Sequence, residues 1–219
     1  MPRIFDRLTY KNKELCFVTD KNCPGLSAFP TGEQVAARGR QFVIDTARKG
    51  NFDYVFFLDI DAICDTDAIE KLISVGYPLA GGMHAARGDA TTLIGHNYEP
   101  PESLERVGLS LNLQQRIYKV GGVSGGVLLV HRDIFSKVDY SGYVGPATIK
   151  GRFTADDEYL QIRIFSELGV RPRLFTLCQS WHLSDNGLAY QYFGFVSPYS
   201  RVGDEIIFRG ESFVSHEDK

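Results

Sequence analysis

Apolar residues along the chain fall into short unbroken runs and longer spaced stripes, and the two patterns alternate. Leu15-Cys16-Phe17-Val18-Thr19 is a short apolar run ending at Asp20, and it predicts a strand. Residues 21–32, KNCPGLSAFPTG, carry two proline-centred breaks and predict a loop. From Glu33 to Lys49 the spacing of Val35, Ala36, Phe42, Val43 and Ala47 predicts a helix with these residues on its apolar face, stopped by Gly50. Tyr54 to Leu58 is a continuous apolar run, suited to a strand buried on both faces. Asp65 or Thr66 then caps a predicted helix that runs to Val75, with Gly76 beyond its end. Leu79 to Met83 predicts a further strand.

Residues 87–116 are polar, contain Pro100-Pro101, and predict a long loop; loops of that length in a domain are functional or mobile. Arg116 to Val120 and Gly126 to Val130 predict two strands around the glycine-rich GGVSGG at 121–126. A helix is expected from Asp156 to Leu168, with Leu160, Ile164, Phe165 and Leu168 on one face and Gly169 at its end. Arg173 to Leu177 predicts a strand that leads to Trp181-His182, and the aromatic tail from Leu188 shows no clean period. Strands alternating with helices predict a single-domain α/β sandwich over residues 1–219, with a mixed, mostly parallel sheet.

Composition narrows the function classes. A net charge of −3 gives no general attraction to nucleic acid. No window approaches the roughly 20 apolar residues of a membrane span, and the first residues, MPRIFDRLTYKNK, hold no apolar signal segment. Cys16, Cys23, Cys64 and Cys178 form no C-x-x-C and read as free thiols, so a cytoplasmic location is expected.

The chemistry centres on VFFLDIDAICDTD, residues 55–67. Residues two apart on a strand point the same way, so Asp59 and Asp61 reach one spot if extended backbone persists to Asp61. Two desolvated anions held together call for a cation, and oxygen ligands suit Mg²⁺ or Mn²⁺ bound through carboxylates and substrate phosphates. Asp65 and Asp67 are accounted for by the helix start that follows them.

FDYVFFLDIDAICDTDAIEKLI resembles the D-x-D segment of nucleotide-sugar-dependent glycosyltransferases of the GT-A fold, a Rossmann-like α/β/α sandwich. Further pieces follow in the family's order. VAARGRQFVIDTARKGNFDYVFFLDIDA is similar to the helix before the D-x-D strand, with Arg38 present and Gly39 where the family often has Asn. YPLAGGMHAAR resembles the next strand, VGGVSGGVLLVHRDIF the glycine-rich strands around the donor sugar, and ADDEYLQIRIFSELGVRPRLFTLCQSWHL the acidic pair, helix, closing strand and terminal His.

The resemblance implies transfer of a sugar from a nucleotide-diphosphate sugar to a glycan, lipid or protein acceptor. It places Asp59, Asp61 and His182 at a divalent cation, and the His favours Mn²⁺ over Mg²⁺. It assigns Asp20, Arg38, Asp59, Asp61, Gly82 and Gly125 to the nucleotide sugar, and Asp156 and Asp157 to catalysis, with Asp157 as the general base of an inverting transfer. Retaining stereochemistry would use these acids differently.

Simpler roles stay open for several of these residues. Asp20 equally starts the Asn22-Cys23-Pro24-Gly25 turn, and the glycines at 121–126 equally form a bulged turn. Arg87 either meets the diphosphate or is a solvated loop cation, and His84, His96, His131 and His216 read as structural. Trp181 and the tail aromatics pack a core, stack on an acceptor, or touch a membrane surface peripherally. Two alternatives compete with the glycosyltransferase reading: a phosphatase of the haloacid-dehalogenase type, and a nucleotide-sugar or glycan binding module without turnover.

Overall fold

The computed structural model describes residues 2–16, 18–29, 31–98, 106–109, 111–112, 114–143, 147–149, 152–192, 195–202 and 205–208. Helix α1 (Pro2–Arg7) opens the chain. Leu15, Cys16, Val18 and Thr19, expected in a strand, belong to none. Val18 instead lies on helix α2 (Gly32–Gly50), where a Cβ added to Gly39 would meet its Cγ1 at 3.6 Å. Leu15 stays 41% exposed and Cys16 and Val18 are half-buried, so the run is not gathered into the core as a strand would be.

Helix α2 has the expected extent, with Thr31 accepting from Gln34 N at its start and Asn51 in the left-handed region (φ 59°) after its end. Its buried stripe is not the expected one. Ala37, Gly39, Ile44 and Ala47 are buried, while Val35, Ala36, Phe42 and Val43 are half-buried. Arg40 sits one turn from both Ala37 and Ile44, on the buried side.

Strand β1 (Tyr54–Leu58) has the predicted bounds, but only Val55 and Phe57 are buried and the other three residues are half-buried. Strand β2 (Ala62–Cys64) and helix α3 (Ala68–Ser74) follow. The helix starts later than expected, at Asp67, without a side-chain cap. The Asp65 carboxylate instead accepts from Gln179 N and Lys71 Nζ. Strand β3 (Leu79–Ala86) is longer than predicted. The presumed loop at 87–116 contains strands β4 (Asp89–Leu93), β5 (Gly95–Tyr98) and β6 (Arg106–Val107). Strands β7 (Ile117–Lys119), β8 (Gly122–Val123) and β9 (Val127–His131) lead to the short helix α4 (Arg132–Phe135). A small hairpin of β10 (Ala147–Ile149) and β11 (Arg152–Thr154) precedes helix α5 (Asp156–Leu168), which closes at Gly169 with φ 68°. Strand β12 (Arg173–Leu183) carries Trp181 and His182, and the tail forms β13 (Leu188–Gln191), β14 (Phe195–Val202) and β15 (Glu205–Phe208).

The main sheet runs β1-β9-β3-β12-β13-β14-β15. It is mixed, but the expectation of a mostly parallel sheet fails: β3 with β12 is the parallel ladder among those described. Strand β9 enters antiparallel between β1 and β3, which leaves β1, β3 and β12 pointing the same way. From β12 onward short turns join successive strands, and such connections can only give antiparallel pairs. One face of the sheet packs Val55, Phe57, Leu79, Met83, Leu128 and Val130 against α2 and α5. The other packs Ala80, Val127, Leu129, Phe175 and Cys178 against α3 and Leu8. All four cysteines are free thiols. No helix among the described residues is long and apolar enough to cross a membrane.

Candidate functional site

Asp59 is the first residue past β1, and the chain turns there at once. Ala62 N donates to the Asp59 carbonyl, and Ile60 stands 72% exposed between the two acids. Extended backbone therefore does not persist to Asp61. The two carboxylates of the D-x-D take different partners, so the premise that alternation aims both at one spot is corrected.

Asp59 belongs to an inner cluster built around Arg40. The Arg40 guanidinium bonds Asp59 Oδ1 at 2.8 Å through one nitrogen and Asp156 Oδ2 at 2.5 Å through the other. Burial disfavours its charge, but Tyr140, Asp156, Asp59 and Asp157 outweigh that and hold it protonated. Asp156 is 7% exposed; burial, helped by Asp157 and Asp59 and opposed by Arg40, pushes its carboxyl up to about 6. Asp157 faces the glycine loop, accepting from Gly125 N and from Glu158 N, each at 2.8 Å. The loop comes this close because it lacks side chains. A Cβ at Gly125 would stand 2.7 Å from Asp157 Cβ, and one at Gly126 would stand 2.9 Å from Asp59 Oδ2. The protein's own acids explain these two glycines.

Asp61 belongs to an outer cluster held by β2 and β12. Ala62 pairs with His182 across that ladder, and Leu183 N donates to the Asp61 carbonyl at 2.7 Å. The register sets His182 Nε2 3.3 Å from Asp61 Oδ2, while His182 Nδ1 meets the Ala85 carbonyl at 3.0 Å. Arg87 completes the group with an ion pair to Asp61 and a contact of 3.3 Å from its Nε to His182 Nε2. Burial would raise the Asp61 carboxyl, but His182 and Arg87 bring it down to about 2. Burial likewise works against the His182 imidazolium, yet Asp61 and the Ala85 carbonyl lift the ring above its ordinary value.

His84, expected to be structural, stacks on His182 with ring centroids 4.6 Å apart. Ser180 donates its hydroxyl to the Met83 carbonyl, so the 2.6 Å contact between its Oγ and His84 Nδ1 is a donation from the ring. Burial and the neighbouring His182 bring His84 down to about 4, so a neutral ring braces His182 at physiological pH.

Among the described residues no group of three or more His, Cys, Asp or Glu side chains is arranged to hold a metal ion. Asp61 and His182 nonetheless make a two-donor set that fits one. Ligands about 2.1 Å from an ion in neighbouring positions stand about 3 Å apart, close to the 3.3 Å between Oδ2 and Nε2. In the neutral ring the Ala85 carbonyl takes the Nδ1 proton and leaves Nε2 a lone pair, the usual arrangement for a ligating histidine. Asp59, tied to Arg40, stands outside that set.

The remaining predicted site residues divide. Asp20 accepts from Ser27 N at 2.9 Å, which lowers its carboxyl and ties it to its own loop. Arg38 is exposed on α2, and Arg40 two residues on makes the acid contacts. Gly82 is walled in by the core: an added Cβ would sit 2.9 Å from Cys178 Sγ and 3.0 Å from Val127 Cγ1. A cavity of about 920 Å³ connects the inner and outer clusters, reaching Arg40, Asp59, Asp61, Arg87 and Asp156 from the β1 edge. Arg40 carries a local signal, a cation three residues after Ala37 and four before Ile44 on an apolar stripe. His84 carried none, because its partner Ser180 lies 96 residues away.

No protein-family model matches the chain, and no curated protein does. Among solved structures it is similar to A197 from STIV, with a TM-score of 0.50 and 17% identity over 74% of each chain. At that identity the likeness speaks to fold alone. Fold and site together define a mixed α/β protein with its acids gathered at one end of β1.

Proposed function

We propose that the chain is a GT-A-type, divalent-cation-dependent glycosyltransferase acting on a nucleotide-diphosphate sugar. One observation carries this reading: Asp61 and His182, 121 residues apart, meet at 3.3 Å with the other ring nitrogen turned to the Ala85 carbonyl. Supporting it, β1, β3 and β12 point the same way, and the acids lie past the carboxyl end of β1, where open α/β sheets gather ligands. A divalent cation on Asp61 and His182 would supply the positive charge that a departing diphosphate needs.

The chain's own residues carry the rest. Arg40 neutralises Asp59 and orients Asp156 toward the cavity. The base role passes from Asp157 to Asp156. Asp156 lines the cavity and titrates near 6, close to the pH at which it would take a proton from the acceptor hydroxyl. Asp157 spends both carboxylate oxygens on backbone N–H groups and fixes the glycine loop.

The test is a thermal-shift screen of nucleotide-diphosphate sugars with and without Mn²⁺. A ligand at about 100 times its dissociation constant stabilises by roughly 2.7 kcal/mol, and Asp61→Asn should abolish the Mn²⁺-dependent part. No shift with any nucleotide would end the proposal. Loss of turnover in Asp157→Asn with full turnover in Asp156→Asn would return the base role to Asp157.

A further inference from the structure

We propose that Arg87 holds the cation position of Asp61 and His182 when no metal is bound, and that a divalent cation enters by exchange with its guanidinium. The proposal rests on the reading of those two residues as metal ligands. Arg87 addresses the same lone pairs that a cation would use. One terminal nitrogen pairs with Asp61 Oδ2, and Nε lies 3.3 Å from His182 Nε2. An arginine Nε can only donate, so this contact needs a lone pair on Nε2 and the ring proton on Nδ1. That is where the 3.0 Å contact with the Ala85 carbonyl puts it. The neutral ring thus presents one tautomer to guanidinium and metal alike, and the two cations cannot occupy its Nε2 together.

The position of Arg87 allows the exchange. It occupies the turn between β3 and β4, followed by Gly88 with φ +81°, and its side chain is 55% exposed. It can leave without unpacking the core. Displaced, the planar fork stands beside the cavity with its donors free, a geometry matched to a phosphate group. The ligand class it would then meet is a diphosphate, arriving together with the metal. Metal and Arg87 compete for Asp61, while metal and diphosphate favour each other.

The single tryptophan of the chain, Trp181, adjoins His182, so quenching of its fluorescence by paramagnetic Mn²⁺ reports binding without any turnover. Wild type, Arg87→Gln and Asp61→Asn would be titrated with Mn²⁺ alone. Arg87→Gln should bind about tenfold more tightly than wild type, within the usual range of coupling between competing groups, and Asp61→Asn should not bind. Equal or weaker binding by Arg87→Gln would overturn the exchange and leave the metal reading standing. Absence of binding in both wild type and Arg87→Gln would overturn both. With Mn²⁺ saturating, wild type should bind methylenediphosphonate more tightly than Arg87→Gln; equal affinity would remove the diphosphate role.

Discussion

Asp59 and Asp61 stand with one residue between them, and each is paired with a different guanidinium. Asp59 is held by Arg40, a guanidinium buried between two helices and shared with Asp156. Asp61 faces a half-exposed arginine on a hairpin turn and a histidine from β12, in the middle of the sheet. The inner charges are fixed by packing, whereas the outer cation can be exchanged. A D-x-D at a strand end is therefore not one site by virtue of spacing. The turn at Ile60 divides it into an acid paired with a buried guanidinium and an acid paired with an exposed one.

The sharpest way to break this contrast is to remove Arg40. Arg40→Ala leaves Asp156 buried without its cation, and loss of one partner of a buried pair costs about 3–5 kcal/mol. Calorimetry at pH 7 should show Tm falling by roughly 10 °C for a chain of this size. A change under about 2 °C would mean that packing does not fix the inner cluster.

The metal comparison comes next. Loss of an outer-shell partner costs about 10–100-fold in metal affinity, so loss of a direct ligand should cost more. Asp61→Asn and His182→Ala should each weaken Mn²⁺ binding by more than about 100-fold, while Asp59→Asn changes it by no more than about threefold. Equal losses in Asp59→Asn and Asp61→Asn by fluorescence titration would restore a shared site.

Acid titration separates the clusters by sign. Asp156 titrates at about 6 when folded against an ordinary 3.8, so its contribution to stability is full below about pH 3.8 and is lost as pH rises through 6. Relative to Asp156→Asn, the wild type should lose at most about 3 kcal/mol between pH 4 and pH 7 in urea denaturation. Asp61, at about 2, contributes stability above 3.8 that is lost as pH falls through 2. The advantage of wild type over Asp61→Asn should therefore shrink on the acid side. Parallel pH profiles for the two variants would contradict the assignment. The smallest effect is expected at Arg38, exposed on the same helix: Arg38→Ala should stay within about 0.5 kcal/mol of wild type.

Local signals explain what could be read from the sequence. Helices α2 and α5 end where the residues around Asn51 and Gly169 require, and β1 ends where its apolar run does. Non-local pairing explains most of what could not. Strand direction depends on β9 entering between β1 and β3, and no residue in GGVSGG announces that. The turn after Asp59 contains neither Gly nor Pro, so alternation was the natural reading and the wrong one. The approach of Asp61 and His182 was anticipated only through the order of segments along the chain, because no spacing rule reaches across 121 residues.

Among the described residues β1 hydrogen-bonds on one side only, to β9. Its other side faces the cavity, with Leu8 and Tyr10 packed into the same apolar cluster as Tyr54, Phe56 and Leu58. A bare strand edge of this composition invites pairing with another molecule. Removing residues 1–10 should therefore leave the Asp61–His182 contact in place but make the protein self-associate, seen as concentration-dependent size on gel filtration. On that prediction, residues 1–10 keep an apolar edge from becoming a template for its neighbours.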